Sequence, residues 1–169
     1  MTYILTIAQE GGISKAAAKL FITQSALDQQ LLKLEHELGT RLFFRSRSSF
    51  ALTEAGRVYV EYARRMLELN RDAARWYYQT LQAPEGQAVR DYLDRRQIHR
   101  RIAVRFGMGA APDSWDALLT AMTARGYSKD ELIRAGLAVS GKNGHIYDKF
   151  RNRLILPVID VRGDVVGFG

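Results

Sequence analysis

Leucines recur at intervals of four, three and four through Leu27, Leu31, Leu34 and Leu38. That spacing puts them on one face of a helix, with Gln24, Asp28, Gln29 and Lys33 on the other. Thr23 is suited to cap the N-terminus and Gly39 to end the helix in a left-handed turn. Residues 23–38 therefore predict one amphipathic helix. A leucine stripe alone marks only a helix packed on a core. Upstream, residues 13–20 read as a second, short helix, opened by Ser14 and built on Ala16, Ala17, Ala18 and Leu20.

Only Phe21, Ile22 and Thr23 separate the two helices. Small residues at a helix crossing, a tight turn and a polar N-terminal end on the second helix describe a helix-turn-helix. Such a unit seats its second helix in the major groove, where Gln pairs with adenine through two hydrogen bonds. Gln24 and Gln29 have that chemistry and position. Residues 3–9 predict a first helix ended by Gly11 and Gly12. Leu42, Phe43 and Phe44, then Arg45 and Arg47, then residues 50–52 predict a strand, a basic loop and a strand, the shape of a wing. Arg45, Arg47 and Ser48 could reach backbone phosphates there, which fixes register without reading sequence; a solvated hairpin tip fits the same residues.

Thr53 is placed to cap a helix running from Glu54 past Leu69, with Val58, Tyr62, Met66 and Leu69 on one face. That stripe fits either a seam between two copies or packing on the chain's own second half.

Residues 3–69 resemble the N-terminal winged helix-turn-helix of LysR-type transcriptional regulators. The resemblance rests on AQEGGISKAAAKLFITQSALDQQLLKLEHELGTRLFFR and on LTEAG at residues 52–56. It implies sequence-specific duplex DNA binding, with Thr23, Gln24, Ser25, Asp28, Gln29 and Lys33 on the recognition helix and Arg45, Arg47 and Ser48 on the wing. It also implies transcription regulation and a homodimer paired through the linker helix. Two features depart from the pattern. The first helix is a few residues short, and Asp28 stands where the family often has Ser. A carboxylate there repels phosphate or accepts from cytosine N4.

Composition narrows the classes. No run of some 18 apolar residues exists, so nothing reads as a membrane span, and no secretory signal opens the chain. The absence of cysteine removes disulfides and thiolate metal sites and fits a reducing compartment; the resemblance implies a cytoplasmic, bacterial protein associated with the nucleoid. The net charge is +7; residues 1–70 hold 9 basic and 7 acidic side chains, residues 71–169 hold 16 and 11. The basic excess favours nucleic acid as a partner and lies mostly in the second half.

There the helical pattern runs on through Trp76, Tyr77 and Tyr78 to Leu81 and breaks at Pro84, which suits a first helical turn. A helix over residues 85–97 turns Val89, Tyr92 and Leu93 inward. A short helix over residues 97–103, a small-residue passage at 106–110 and a helix over 115–125 capped by Asp113 and Ser114 follow. Ser128 and Glu131 make a capping box, and Gly136 ends that helix. From Leu137 the period becomes that of strands: a hairpin turned at Asn143-Gly144, a buried strand over residues 153–158, a turn at residues 162–164 and a strand over 165–168.

Residues 69–169 resemble the N-terminal subdomain of the polymerase core of bacterial DNA primase, above all in YDKFRNRLILPVIDVRGDVVGFG. The resemblance implies a basic surface for single-stranded template, carried here by Lys149, Arg151 and Arg153. Phe150 could offer a stacking face or pack in the core. The expected organisation is mainly α with small β: a winged helix-turn-helix and linker helix at 1–69, then an α+β primase-core subdomain at 70–169, truncated before its metal-binding fold.

No catalytic set is legible. Asp160 and Asp164 are acids at a strand end and a turn, where local roles are common. His36, His99 and His145 are scattered. No metal, cofactor or small-molecule effector domain is expected, and the chain alone is not expected to be an enzyme. The reading is a DNA-binding protein. The alternative is a primase fragment that binds single-stranded template in primer synthesis during DNA replication. An inert junction product stays open beside both.

Overall fold

Small methyl groups set the first packing. A computed structural model describes residues 1–45 and 50–169. Helix α1 (Thr2–Glu10) buries Ile4, Leu5 and Ile7 and ends at Gly11, in the left-handed region at φ 65°. Helix α2 (Ile13–Lys19) buries Ala16 and Ala17, whose size lets neighbouring helices approach closely. Gly12, not Ser14, is its N-cap. Helix α3 (Gln24–Leu38) is capped by Thr23, whose hydroxyl accepts from the Ala26 N–H at 3.2 Å. It ends at Gly39 with φ 65°.

The buried face of α3 differs from the leucine stripe. Leu27 and Leu31 are fully buried, Leu34 is half-buried, and Leu38 is exposed in the last turn. The third buried side chain is Glu35. Its carboxylate enters the core because backbone N–H groups satisfy it there.

Strands β1 (Phe43–Arg45) and β2 (Phe50–Leu52) pair antiparallel, with Phe43 opposite Leu52. The Phe43 and Phe50 rings stack at 4.9 Å. Thr53 donates to the Arg41 carbonyl at 2.7 Å and accepts from the Gly56 N–H at 2.9 Å, opening helix α4 (Glu54–Gln82). The Leu42 carbonyl occupies the place a Cβ on Gly56 would take.

The chain divides into two units, Met1–Arg65 and Met66–Gly169, with α4 running through the division. The linker stripe is not a continuous exposed seam. Val58 is 61% exposed, but Met66 and Leu69 are 2% and 0% exposed. The expected pairing of two copies along this stripe lacks its two C-terminal members, which belong to the core of the second unit.

In that unit a single 3-10 turn (Pro84–Gly86) leads into α5 (Gln87–Arg95) and α6 (Arg100–Arg105). Leu81, Val89, Leu93, Ala103, Met108 and Ala110 form one buried cluster. Tyr92 is not part of it; the residue is 39% exposed. The Arg90 guanidinium donates to the Leu81 and Ala83 carbonyls at the end of α4. The small-residue passage ends in a strand, β3 (Gly109–Ala111), because Gly109 lets the backbone lie against Tyr77: a Cβ there would come within 2.6 Å.

Helix α7 (Ala117–Thr123) is shorter than the pattern predicts. It starts where Asp148 accepts the N–H groups of Leu118 and Leu119, at 2.8 and 2.9 Å. Trp115 is left outside the helix, its carbonyl accepting from the Asp148 N–H. Helix α8 (Lys129–Arg134) has the expected capping box. Strands β4 (Ala138–Ser140) and β5 (Ile146–Asp148) form the expected hairpin.

The predicted strand over residues 153–158 is two strands. β6 (Arg153–Ile155) pairs with β3, and β7 (Pro157–Ile159) pairs with β8 (Val165–Phe168), all antiparallel. Pro157 lacks the N–H needed to carry the first ladder on, and Leu156 exchanges both backbone bonds with Gly169 instead. β7 is not buried: Val158 and Ile159 are 51% and 54% exposed. The described residues thus form a mainly α fold with four small two-stranded sheets.

Candidate nucleic-acid interface

The N-terminal half of α3 presents a polar face. Thr23, Gln24, Ser25, Gln29 and, one turn on, Lys33 are exposed, and Asp28 is half-buried. Burial of Leu27 and Leu31 forces this, since residues on the opposite side of the same helix must face out. Ser14 donates to the Gln24 Oε1 at 2.8 Å, which orients the amide. The Thr23 and Ser25 hydroxyls lie 3.2 Å apart. Lys33 forms a loose pair with Glu37 at 4.0 Å.

Asp28 and Arg45, both expected at the DNA surface, meet each other. Arg45 Nη1 lies 2.7 Å from Asp28 Oδ1, and Nη2 lies 3.4 Å from Glu35 Oε2. Glu35 Oε1 accepts from Leu42 and Phe43. The wing arginine therefore spans a half-exposed and a buried carboxylate. Arg47 and Ser48 lie outside the described residues. Sequence reasoning missed Ser14 and Glu35; the one available signal was a glutamate recurring four residues after Leu31. Phe21, in the turn, holds φ 55° and is 93% exposed.

Of the cations expected to meet single strands, Lys149 and Arg151 lie between β5 and β6, and Arg153 opens β6. Lys149 is exposed, with its Nζ 5.3 Å from the centre of the Phe150 ring, and Phe150 is buried. The Arg151 guanidinium lies 4.0 Å over the Trp115 ring and donates to the Asp148 carbonyl at 2.6 Å. Trp115 and Tyr147 meet edge to face at 5.3 Å. Arg153 is exposed and borders a groove of about 560 Å³ with Tyr92, Arg95, Asn152 and Leu154. Tyr92 and Arg95 were not picked out as site residues from the sequence; basic and aromatic residues on one side of α5 were the signal.

Burial pushes the Asp148 carboxyl above the ordinary carboxylate value, against the Leu118 and Leu119 N–H groups, which pull it down. Burial likewise pushes the Tyr77 hydroxyl up, with the Asp148 charge adding to it. Asp160 accepts from the N–H groups of Arg162 and Asp164, a turn role. Among the described residues no three His, Asp or Glu side chains converge as metal ligands. No described helix is long and apolar enough to cross a membrane.

Residues 76–169 match the family model of the DNA primase catalytic core, N-terminal domain, and residues 1–57 match that of the bacterial regulatory helix-turn-helix protein, lysR family. The DNA primase of Clostridium acetobutylicum is 44% identical over 105 residues, which is 62% of this chain and 17% of that protein. The chain thus spans about a sixth of the length of that relative. Among solved structures, a DnaG primase catalytic domain bound to ssDNA is 34% identical, with a TM-score of 0.61 over 64% of this chain and 35% of that one. The RNA polymerase domain of Mycobacterium tuberculosis primase DnaG, in complex with a double-stranded DNA oligomer with a 6-nucleotide overhang, is 39% identical, with a TM-score of 0.57 over 62% of this chain and 32% of that one. The chain belongs to the family of the DNA primase catalytic core, N-terminal domain, and the residues before that match are similar to the bacterial regulatory helix-turn-helix protein, lysR family.

Proposed function

We propose that the chain is a sequence-specific duplex DNA-binding protein, acting in transcription regulation through residues 1–69, with a primase subdomain in residues 70–169. The observation that carries this is the exposed row Gln24, Ser25 and Gln29 on a helix whose opposite face is locked by Leu27 and Leu31. Gln24 and Gln29 meet adenine edges; Lys33 and the wing residues Arg47 and Ser48 meet phosphates. Arg45 holds Asp28. No nucleotidyl transfer is assigned to these residues.

A second reading is single-strand binding by the primase half, in support of primer synthesis. It is favoured by the groove where Arg95 and Arg153 flank the exposed Tyr92. Cations that track a backbone beside a ring that stacks on bases suit a loose strand.

Fluorescence anisotropy on random duplex, selected duplex and single-stranded oligonucleotides, at two salt concentrations, tests both. The first reading expects a selected duplex bound at least about 1000-fold more tightly than random duplex, and loss of part of that ratio in Gln24→Ala and Gln29→Ala. Equal affinity for every duplex overturns it. Single-strand binding that is unchanged in Arg153→Ala and Tyr92→Ala overturns the second.

A further inference from the structure

We propose that Asp28 selects cytosine: its carboxylate, held by Arg45, accepts a hydrogen bond from a cytosine N4 amino group in the major groove. This rests on the duplex-binding reading of α3. Asp28 lies four residues after Gln24 and three after Ser25, so the three side chains share one stripe of the helix.

An unpaired carboxylate among phosphates opposes binding. Here Arg45 Nη1 pairs with it at 2.7 Å, and the two side chains are 37% and 31% exposed. Arg45 is held in turn by Glu35, itself bound to the backbone of Leu42 and Phe43. The pair thus offsets the charge of Asp28 and fixes its rotamer from the base of the wing.

Among the polar groups of this stripe the ionised carboxylate is the one that only accepts. Guanine presents O6 and N7, and thymine presents O4, all acceptors that repel it. Adenine presents an N6 donor, but N7 beside it is an acceptor. In the duplex adenine N6 lies between two acceptors, its own N7 and the paired thymine O4, whereas cytosine N4 has an acceptor on one side only, the paired guanine O6, and a C–H on the other. The glutamines, with a donor and an acceptor each, suit adenine. A binding site therefore holds cytosine at the base step Asp28 faces, one turn of α3 from the step read by Gln24.

The test selects duplexes from a pool randomised over about ten base pairs, one turn of DNA, using the full chain. The expected result is one position where cytosine is favoured by about ten-fold or more. Asp28→Asn moves the preference there to adenine, and Asp28→Ala flattens it. Arg45→Ala weakens binding to every duplex while cytosine stays preferred. A selected site without cytosine, or a profile unchanged in Asp28→Asn, overturns the inference and leaves the duplex reading standing. A pool in which no sequence is enriched overturns both.

Discussion

Glu35 Oε1 accepts the backbone N–H of Leu42 at 2.7 Å, so α3 and the root of the wing are one hydrogen-bonded piece. Phe43 donates to the same oxygen at 3.3 Å. Truncation in Glu35→Ala leaves two buried donors unmade and costs about 2–4 kcal/mol. Glu35→Gln keeps an acceptor and costs about 1–2 kcal/mol. Amide hydrogen exchange at Leu42 and Phe43 checks this, because faster exchange in the first variant than in the second is the expected order.

Asp148 sets a pH dependence. Burial raises its carboxyl above the unfolded value of about 3.9. The folded chain then holds the proton more tightly than the unfolded chain. Stability from this group is complete below the unfolded value and is lost as pH rises through the folded one. Asp148→Asn cannot titrate. The stability of the native chain relative to this variant therefore declines with rising pH across that window. Urea unfolding read by tryptophan fluorescence reports it, since Trp76 and Trp115 both lie in the second unit. A rise instead would show that the Leu118 and Leu119 bonds outweigh burial.

Phe21 sits at φ 55° while its side chain is 93% exposed. The left-handed region costs an ordinary L-residue about 1–2 kcal/mol, and asparagine tolerates it better. Phe21→Asn is expected to stabilise the first unit by about 0.5–1 kcal/mol, a part of that penalty. Thermal unfolding followed by circular dichroism should show a higher transition; a lower one would mean that the ring is packed in solution.

Arg153 is exposed at the rim of the groove beside Tyr92 and Arg95. If it neutralises one phosphate, Arg153→Ala lowers the slope of log affinity against log salt by about 0.7 on single strands. Titrations of an oligonucleotide at several salt concentrations measure that slope. An unchanged slope with weaker binding would place Arg153 in folding rather than in contact with the strand.

Local chemistry was legible in the chain; distant pairing was not. The caps Thr23, Thr53 and Ser128 with Glu131 act within three residues, so their types and spacing suffice. The hairpin at Asn143-Gly144 is equally local. By contrast, Asp148 starts α7 from about thirty positions away, and that is why the helix begins at Ala117 rather than at Trp115. Periodicity gave Leu27 and Leu31 on the buried face of α3 but not Glu35, and it put Leu38 there although Leu38 is exposed; Gln24, Ser25 and Gln29 are exposed. The Ser14–Gln24 and Asp28–Arg45 contacts join residues 10 and 17 apart, beyond any helical repeat. Met66 and Leu69 show the same limit: a stripe says which residues want cover, not what covers them.

The bare Cα of Gly56 has a consequence for heredity. Because a backbone carbonyl fills the volume next to it, no flexible side chain can step aside for a substituent. A saturation library at this codon should return a single amino acid among functional clones, a sequence constraint imposed with no chemistry from the residue itself.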